Sequence, residues 1–170
     1  MANVGIMGAG SWGTALALLL HKNGHQVTVW SISEDEVKML STKREHESKL
    51  PGVKLPDQLT VTGDLEGTVK GKDFLVLAVP SPFTRSTAAK MCPYVADGQI
   101  VAKGIEEATL MTLSQQIRQE IPQADVAVLS GPSHAEEVGR RLPTTCVIGA
   151  TTRKTAEYLQ SMFISKVFRV

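Results

Sequence analysis

The chain has 170 residues, 42% hydrophobic and 21% charged, the ordinary balance of one globular domain large enough for a proper core. Eighteen Lys and Arg against 17 Asp and Glu leave a net charge of +1, which supplies no basic stripe for nucleic acid or an anionic membrane surface. The longest apolar stretch, Ala15 to Leu20, is far too short to cross a bilayer, and behind a glycine-rich turn it does not read as a signal peptide.

In chain order, Asn3 to Met7 reads as a short buried strand and Thr14 to Leu20 as a buried helix. Between them stands Gly8-Ala9-Gly10-Ser11-Trp12-Gly13. A G-x-G-x-x-G between a strand and a helix is the dinucleotide-binding turn. Gly8 allows the tight bend, Gly10 lets the backbone approach a pyrophosphate, and Gly13 lets helix and strand pack closely. The free N–H groups and dipole of the helix then face the phosphates. The plainer alternative is a glycine-rich turn chosen for packing alone.

Asn23-Gly24 stops the first helix, and Gln26 to Trp30 is the next strand. Ser33 with Glu36 forms a capping box that opens a helix to about Arg44. Leu50 to Pro56 reads as a proline-pinned loop before a short strand, Leu59 to Thr62. Phe74 to Val79 is a continuous apolar strand, after which Ser81 caps and Pro82 begins a helix. Further strands fall at Ile100 to Ala102, Val126 to Leu129, Thr144 to Ala150 and Lys166 to Val170. Helices are expected at Thr112 to Glu120, after a second capping box of Ser133 with Glu136, and at Arg153 to Met162. The alternation predicts an α/β fold of Rossmann type, a doubly wound, mostly parallel sheet with strands beyond the basic six.

Ligands of such sheets sit outside the carboxyl ends of the strands. Those ends are Gly8 to Gly13, Trp30 to Ser33, Pro80 to Phe83, Lys103 to Glu106 and Gly131 to Glu137. An ammonium at Lys103 would hold a phosphate or polarise a carbonyl oxygen over the cleft, or simply be a solvated strand end. Trp12 shields a pyrophosphate or nicotinamide, or packs on its loop. His134 has no evident carboxylate or serine partner, and Arg140, Arg141, Lys43 and Arg44 read as solvated charges. Cys92 and Cys146 lie in apolar contexts and read as reduced core residues, and the four histidines show no metal-ligand spacing, so no metal is expected.

Four segments carry a resemblance: Gly8 to Ala17, Ala78 to Phe83, Lys103 to Glu106, and Ser130 to Val138. In this order, over essentially the whole chain, they resemble bacterial NAD(P)-dependent glycerol-3-phosphate dehydrogenase. The resemblance implies hydride transfer between NAD(P)H and dihydroxyacetone phosphate to give sn-glycerol 3-phosphate, for phospholipid synthesis in the cytoplasm. It implies cofactor contacts at Gly8, Gly10, Ser11, Trp12, Gly13, Pro80, Lys103 and Ala135. It implies substrate contacts at Lys103, Gly131 and Ser133, with Lys103 the one residue of the chain in the catalytic chemistry.

The family's main catalytic lysine lies in a second, helical domain that no segment here resembles. Residues 1–170 are therefore expected to be the dinucleotide-binding domain alone, which binds cofactor without turnover. The small-molecule substrate is the only partner expected, with no nucleic acid or membrane, and the full-length enzyme is expected to be a homodimer.

No acid stands at the end of the second strand, Trp30-Ser31-Ile32-Ser33, where an NAD site places one. Glu34, Asp35 and Glu36 read as first-turn acids that complement the helix dipole. NADP or NAD is thus expected, with a mild lean to NADPH. Two other readings stand beside this one: another Rossmann dehydrogenase of the hydroxyacid or sugar-acid type, and a non-catalytic domain that senses a nucleotide.

Overall fold

The structure, a computed structural model, describes residues 1–102 and 112–170. Its first half runs β1 (Asn3–Met7), α1 (Ser11–Lys22), β2 (Gln26–Trp30), α2 (Glu34–Lys43), β3 (Glu45–His46), β4 (Leu50–Lys54), β5 (Thr60–Thr62) and α3 (Leu65–Val69). Then come β6 (Phe74–Leu77), α4 (Thr84–Met91), β7 (Ile100–Ala102), α5 (Leu113–Glu120) and β8 (Asp125–Ser130). The last part is α6 (Ala135–Gly139), β9 (Thr144–Thr145), β10 (Val147–Gly149), α7 (Arg153–Phe163) and β11 (Phe168–Arg169).

Seven strands form one sheet in the order β10-β8-β7-β6-β1-β2-β5. All neighbours are parallel except β10, which runs antiparallel to β8 at the edge. The chain winds outward from β1 through β2 to β5, then returns to the other side of β1 with β6. The direction of winding therefore reverses between β1 and β6, the switch point at which such sheets open a crevice. The expected doubly wound α/β sheet with additional strands is what the chain forms.

Alternation along the strands divides the core in two. Val4, Ile6, Phe74 and Val76 face one cluster, with Leu16 and Leu20 of α1 and Leu159 and Phe163 of α7. Met7, Leu75 and Leu77 face the other, with Val69 of α3, Met91 of α4 and Ile117 of α5. Both faces of the sheet are covered, which is why its strands read as continuous apolar runs rather than as alternating ones.

Several elements differ from the sequence expectation. The residues read as a loop at 50–56 instead pair, Glu45 with Lys54 and His46 with Leu50, in a small antiparallel hairpin. Pro51 is tolerated because this two-stranded pair leaves its second edge unbonded. The strand expected over Thr144 to Ala150 is divided at Cys146: β9 pairs with β11 and β10 pairs with β8. Ser81 does not cap a helix; Ser81–Phe83 is a 3-10 turn whose cap is Pro80. Ser133 does not cap either, since the cap of α6 is His134, without a side-chain hydrogen bond. Thr112, by contrast, caps α5 in a full capping box with Gln115.

Candidate functional site

The glycine turn is held by its neighbours. Gly8 N–H donates to the Trp30 carbonyl at 2.8 Å, and Ala78 N–H donates to the Met7 carbonyl at 2.7 Å. Gly8 adopts φ +112°, a region open to glycine, and a Cβ there would meet the Ala78 carbonyl oxygen at 2.7 Å. At Gly13 an added Cβ would lie 1.9 Å from the Gly8 carbonyl oxygen, so only glycine lets α1 start this close to β1. A Cβ at Gly10 would meet no atom within 4 Å. Two of the three glycines are thus required by packing, and the third faces open space.

Gly10 is also the N-cap of α1, with no side chain capping the helix and no acid in its first turn. The uncapped N–H groups and the positive end of the dipole point into that space. The space is a cleft of about 720 Å³ lined by Gly8, Gly10, Ser11, Trp12 and Pro80 among the expected residues. Trp12 is half-buried, packs on the core and lines the cleft. A smaller hollow of about 180 Å³ lies at the other end of α1, lined by Leu18, Asn23 and Phe168.

The remaining expected residues are placed differently. Lys103, with Gly104 to Glu106, lies outside the described residues. Gly131, Ser133 and Ala135 sit beyond the carboxyl end of β8, on the same rim of the sheet, but do not line the cleft. Gly131 is needed for close approach, because a Cβ would meet the Thr145 carbonyl oxygen at 2.8 Å. The Ser133 hydroxyl lies 3.4 Å from Cys146 Sγ, and Ala135 is buried. Cys92 and Cys146 are both free.

Several lining residues were not singled out from the sequence. Ile32 and Phe83 border the cleft while 73% and 59% exposed, two large apolar side chains left open to solvent at its rim. Their place at strand ends was the available signal. The other omission is Glu36. Its first turn does complement the α2 dipole, but its side chain folds under the β3–β4 hairpin and lines the cleft, 13% exposed. It accepts from Ser31 Oγ at 2.5 Å and from Lys49 Nζ at 2.8 Å, with His46 Nε2 at 2.8 Å. Burial works against its charge, but the bonds from Lys49, Ser31 and His46 and the charge of Lys49 hold the carboxyl below the usual carboxylate range. A carboxylate therefore does stand beyond β2, one helical turn later than expected.

Comparison with known proteins agrees with this geometry. Residues 3–156 match the family described as NAD-dependent glycerol-3-phosphate dehydrogenase N-terminus. Over 173 residues the chain is 65% identical to glycerol-3-phosphate dehydrogenase [NAD(P)+] of Agathobacter rectalis, covering all of this chain and 52% of that protein. It is 47% identical to the enzyme of the same name from Fusobacterium nucleatum, again over all of this chain and 52% of the relative. The chain thus spans about half the length of these curated relatives. The solved glycerol-3-phosphate dehydrogenase of Coxiella burnetii superposes with a TM-score of 0.92 at 31% identity, over 99% of this chain and 53% of that one. A UDP-D-ManNAc dehydrogenase from Pyrococcus horikoshii, 14% identical, shares the fold alone, with a TM-score of 0.78. The chain belongs to the family of NAD-dependent glycerol-3-phosphate dehydrogenase N-terminal regions.

Proposed function

We propose that this chain is the dinucleotide-binding part of a dehydrogenase that interconverts dihydroxyacetone phosphate and sn-glycerol 3-phosphate. The observation that carries the reading is Gly10: an uncapped helix N-terminus whose only unobstructed glycine opens on the cleft at the sheet's switch point. Diphosphate fits there, since backbone N–H groups supply donors and no side chain occupies the approach. Either NAD(H) or NADP(H), when bound, supplies hydride chemistry at its nicotinamide. Gly8, Gly10, Ser11, Trp12, Gly13 and Pro80 hold it, Gly13 by keeping α1 close to the strand. Ile32 and Phe83 exclude water from its apolar surfaces.

The family resemblance supports Ala135 as a further cofactor contact and Gly131 and Ser133 as substrate contacts on the same rim. It supports Lys103 as the cation beside the substrate oxygen. Residues 1–170 then act as one cofactor domain, and the proton-transferring lysine belongs to a second domain. The near-neutral charge supports an enzyme without nucleic-acid or membrane partners. Among the described residues no helix is long and apolar enough to cross a membrane; the cytoplasmic reading rests on the family resemblance. A homodimeric whole enzyme completes the proposal.

Calorimetric titration of the chain with NADH and NADPH, together with tryptophan fluorescence, tests the reading. Binding is expected, with quenching that persists when Trp30 is replaced by Phe and Trp12 alone reports. Absence of heat and of quenching with both dinucleotides would overturn it.

A further inference from the structure

Glu36 and Lys49 meet at the cleft edge beyond β2, where the ribose next to adenine lies in sheets of this kind. We propose that this pair sets cofactor choice, Glu36 taking the ribose 2′,3′-diol of NAD(H) and Lys49 leaving Glu36 to pair with the 2′-phosphate of NADP(H). The inference rests on the dinucleotide reading above and assigns the discrimination within it.

The bonding around Glu36 leaves room for a diol. An ionised carboxylate offers about four lone-pair sites. His46 and Lys49 both use Oε1, and Ser31 alone uses Oε2, so among the described residues Oε2 keeps capacity for a hydroxyl donor. The backbone N–H of Lys49 donates to His46 Nδ1 at 3.3 Å, which makes Nδ1 an acceptor and puts the imidazole proton on Nε2, toward Glu36. His46, 2% exposed, therefore fixes both the carboxylate and the turn that carries Lys49.

The lysine side chain is the loose member. It is 53% exposed, and an ion pair so open to water and salt holds weakly. Its backbone stays anchored on His46 while the ammonium swings, and Glu36 keeps Ser31 and His46, so no buried charge is orphaned. A 2′-phosphate near Glu36 would otherwise meet like charge alone; the ammonium that swings onto it offsets that repulsion. Each dinucleotide thus finds its own partner in a single cluster.

Calorimetric Kd values for NADH and NADPH, at low and high salt, on the chain and on Lys49→Met and Glu36→Gln, test the assignment. Lys49→Met is expected to weaken NADPH about tenfold and leave NADH within about twofold. Glu36→Gln is expected to weaken NADH about tenfold while NADPH holds or tightens. In the unaltered chain salt weakens NADPH more steeply than NADH, and Lys49→Met removes the difference. Lys49 lies in an exposed turn, so its variant folds whatever becomes of Glu36→Gln. Equal losses for both dinucleotides, or an unmoved ratio in Lys49→Met, would overturn the assignment while leaving the dinucleotide site standing. Failure of the unaltered chain to bind either one would overturn both.

Discussion

A Cβ on Gly13 would stand 1.9 Å from the carbonyl oxygen of Gly8, whereas one on Gly10 would meet nothing within 4 Å. The two glycines of one turn therefore fail in different ways. Gly13→Ala must push α1 off the strand, at a cost of about 1–3 kcal/mol or more, and lowers the denaturant midpoint. Gly10→Ala leaves stability within about 1 kcal/mol but weakens dinucleotide binding roughly tenfold or more, because the methyl fills the diphosphate approach. Chemical denaturation and calorimetry on both variants check the contrast. A Gly10→Ala chain that binds normally would remove the cradle from the mechanism.

Glu36 makes acid stability a local matter. Burial opposes its charge, yet Lys49, Ser31 and His46 hold its folded-state value below the ordinary carboxylate value of about 4.5. A depressed carboxyl contributes stability that is present above the unfolded value and is lost as pH falls through the lower folded one. Melting temperatures measured down from pH 6 should therefore start to drop below about 4.5, and Glu36→Gln should flatten that drop. The variant's retaining the full acid limb would show that other groups govern it.

Phe74 is fully buried between two rings, edge-on to Tyr158 at 6.1 Å and tilted against Phe163 at 5.9 Å. These contacts fasten α7 to the centre of the sheet. Phe74→Ala is expected to cost about 3–5 kcal/mol, and Phe74→Leu much less, because a cavity rather than a lost hydrogen bond is at issue. Equilibrium unfolding in urea would show it.

Burial pushes the Cys146 thiol up, against the opposing hydrogen bond with Ser133, and only 2% of the residue is exposed. A protonated, covered thiol is a poor nucleophile. Alkylation at pH 8 should label half-buried Cys92 first and reach Cys146 only on unfolding, as peptide mass mapping would reveal. Equal labelling rates in the native chain would contradict this packing.

The sheet was legible because burial on both faces writes each central strand as an unbroken apolar run. Asn3–Met7 and Gln26–Trp30 occur with the expected bounds. The five-residue α3 was not, since a single turn shows no period; only Asp64, which caps it through Gly67 N–H, marked its start. The hairpin was hidden by Pro51 and Gly52, which argue for a loop unless the strand is known to be an edge. Gly8, Gly10, Ser11 and Trp12 were visible at the cleft because one local turn carries them, and Pro80 because parallel pairing sets the end of β6 beside that of β1. Glu36 was not visible as a lining residue, because its partners His46 and Lys49 arrive through the hairpin, a tertiary event that leaves no local trace.

The β3–β4 hairpin pairs with none of the seven main strands. It hangs from the crossover between β2 and β5, with Lys49 at its tip. A change of residues at that tip disturbs neither the parallel ladder nor the glycine bend. On the reading proposed above, coenzyme choice resides in a few turn positions that can be exchanged without moving the strands beneath the glycine bend.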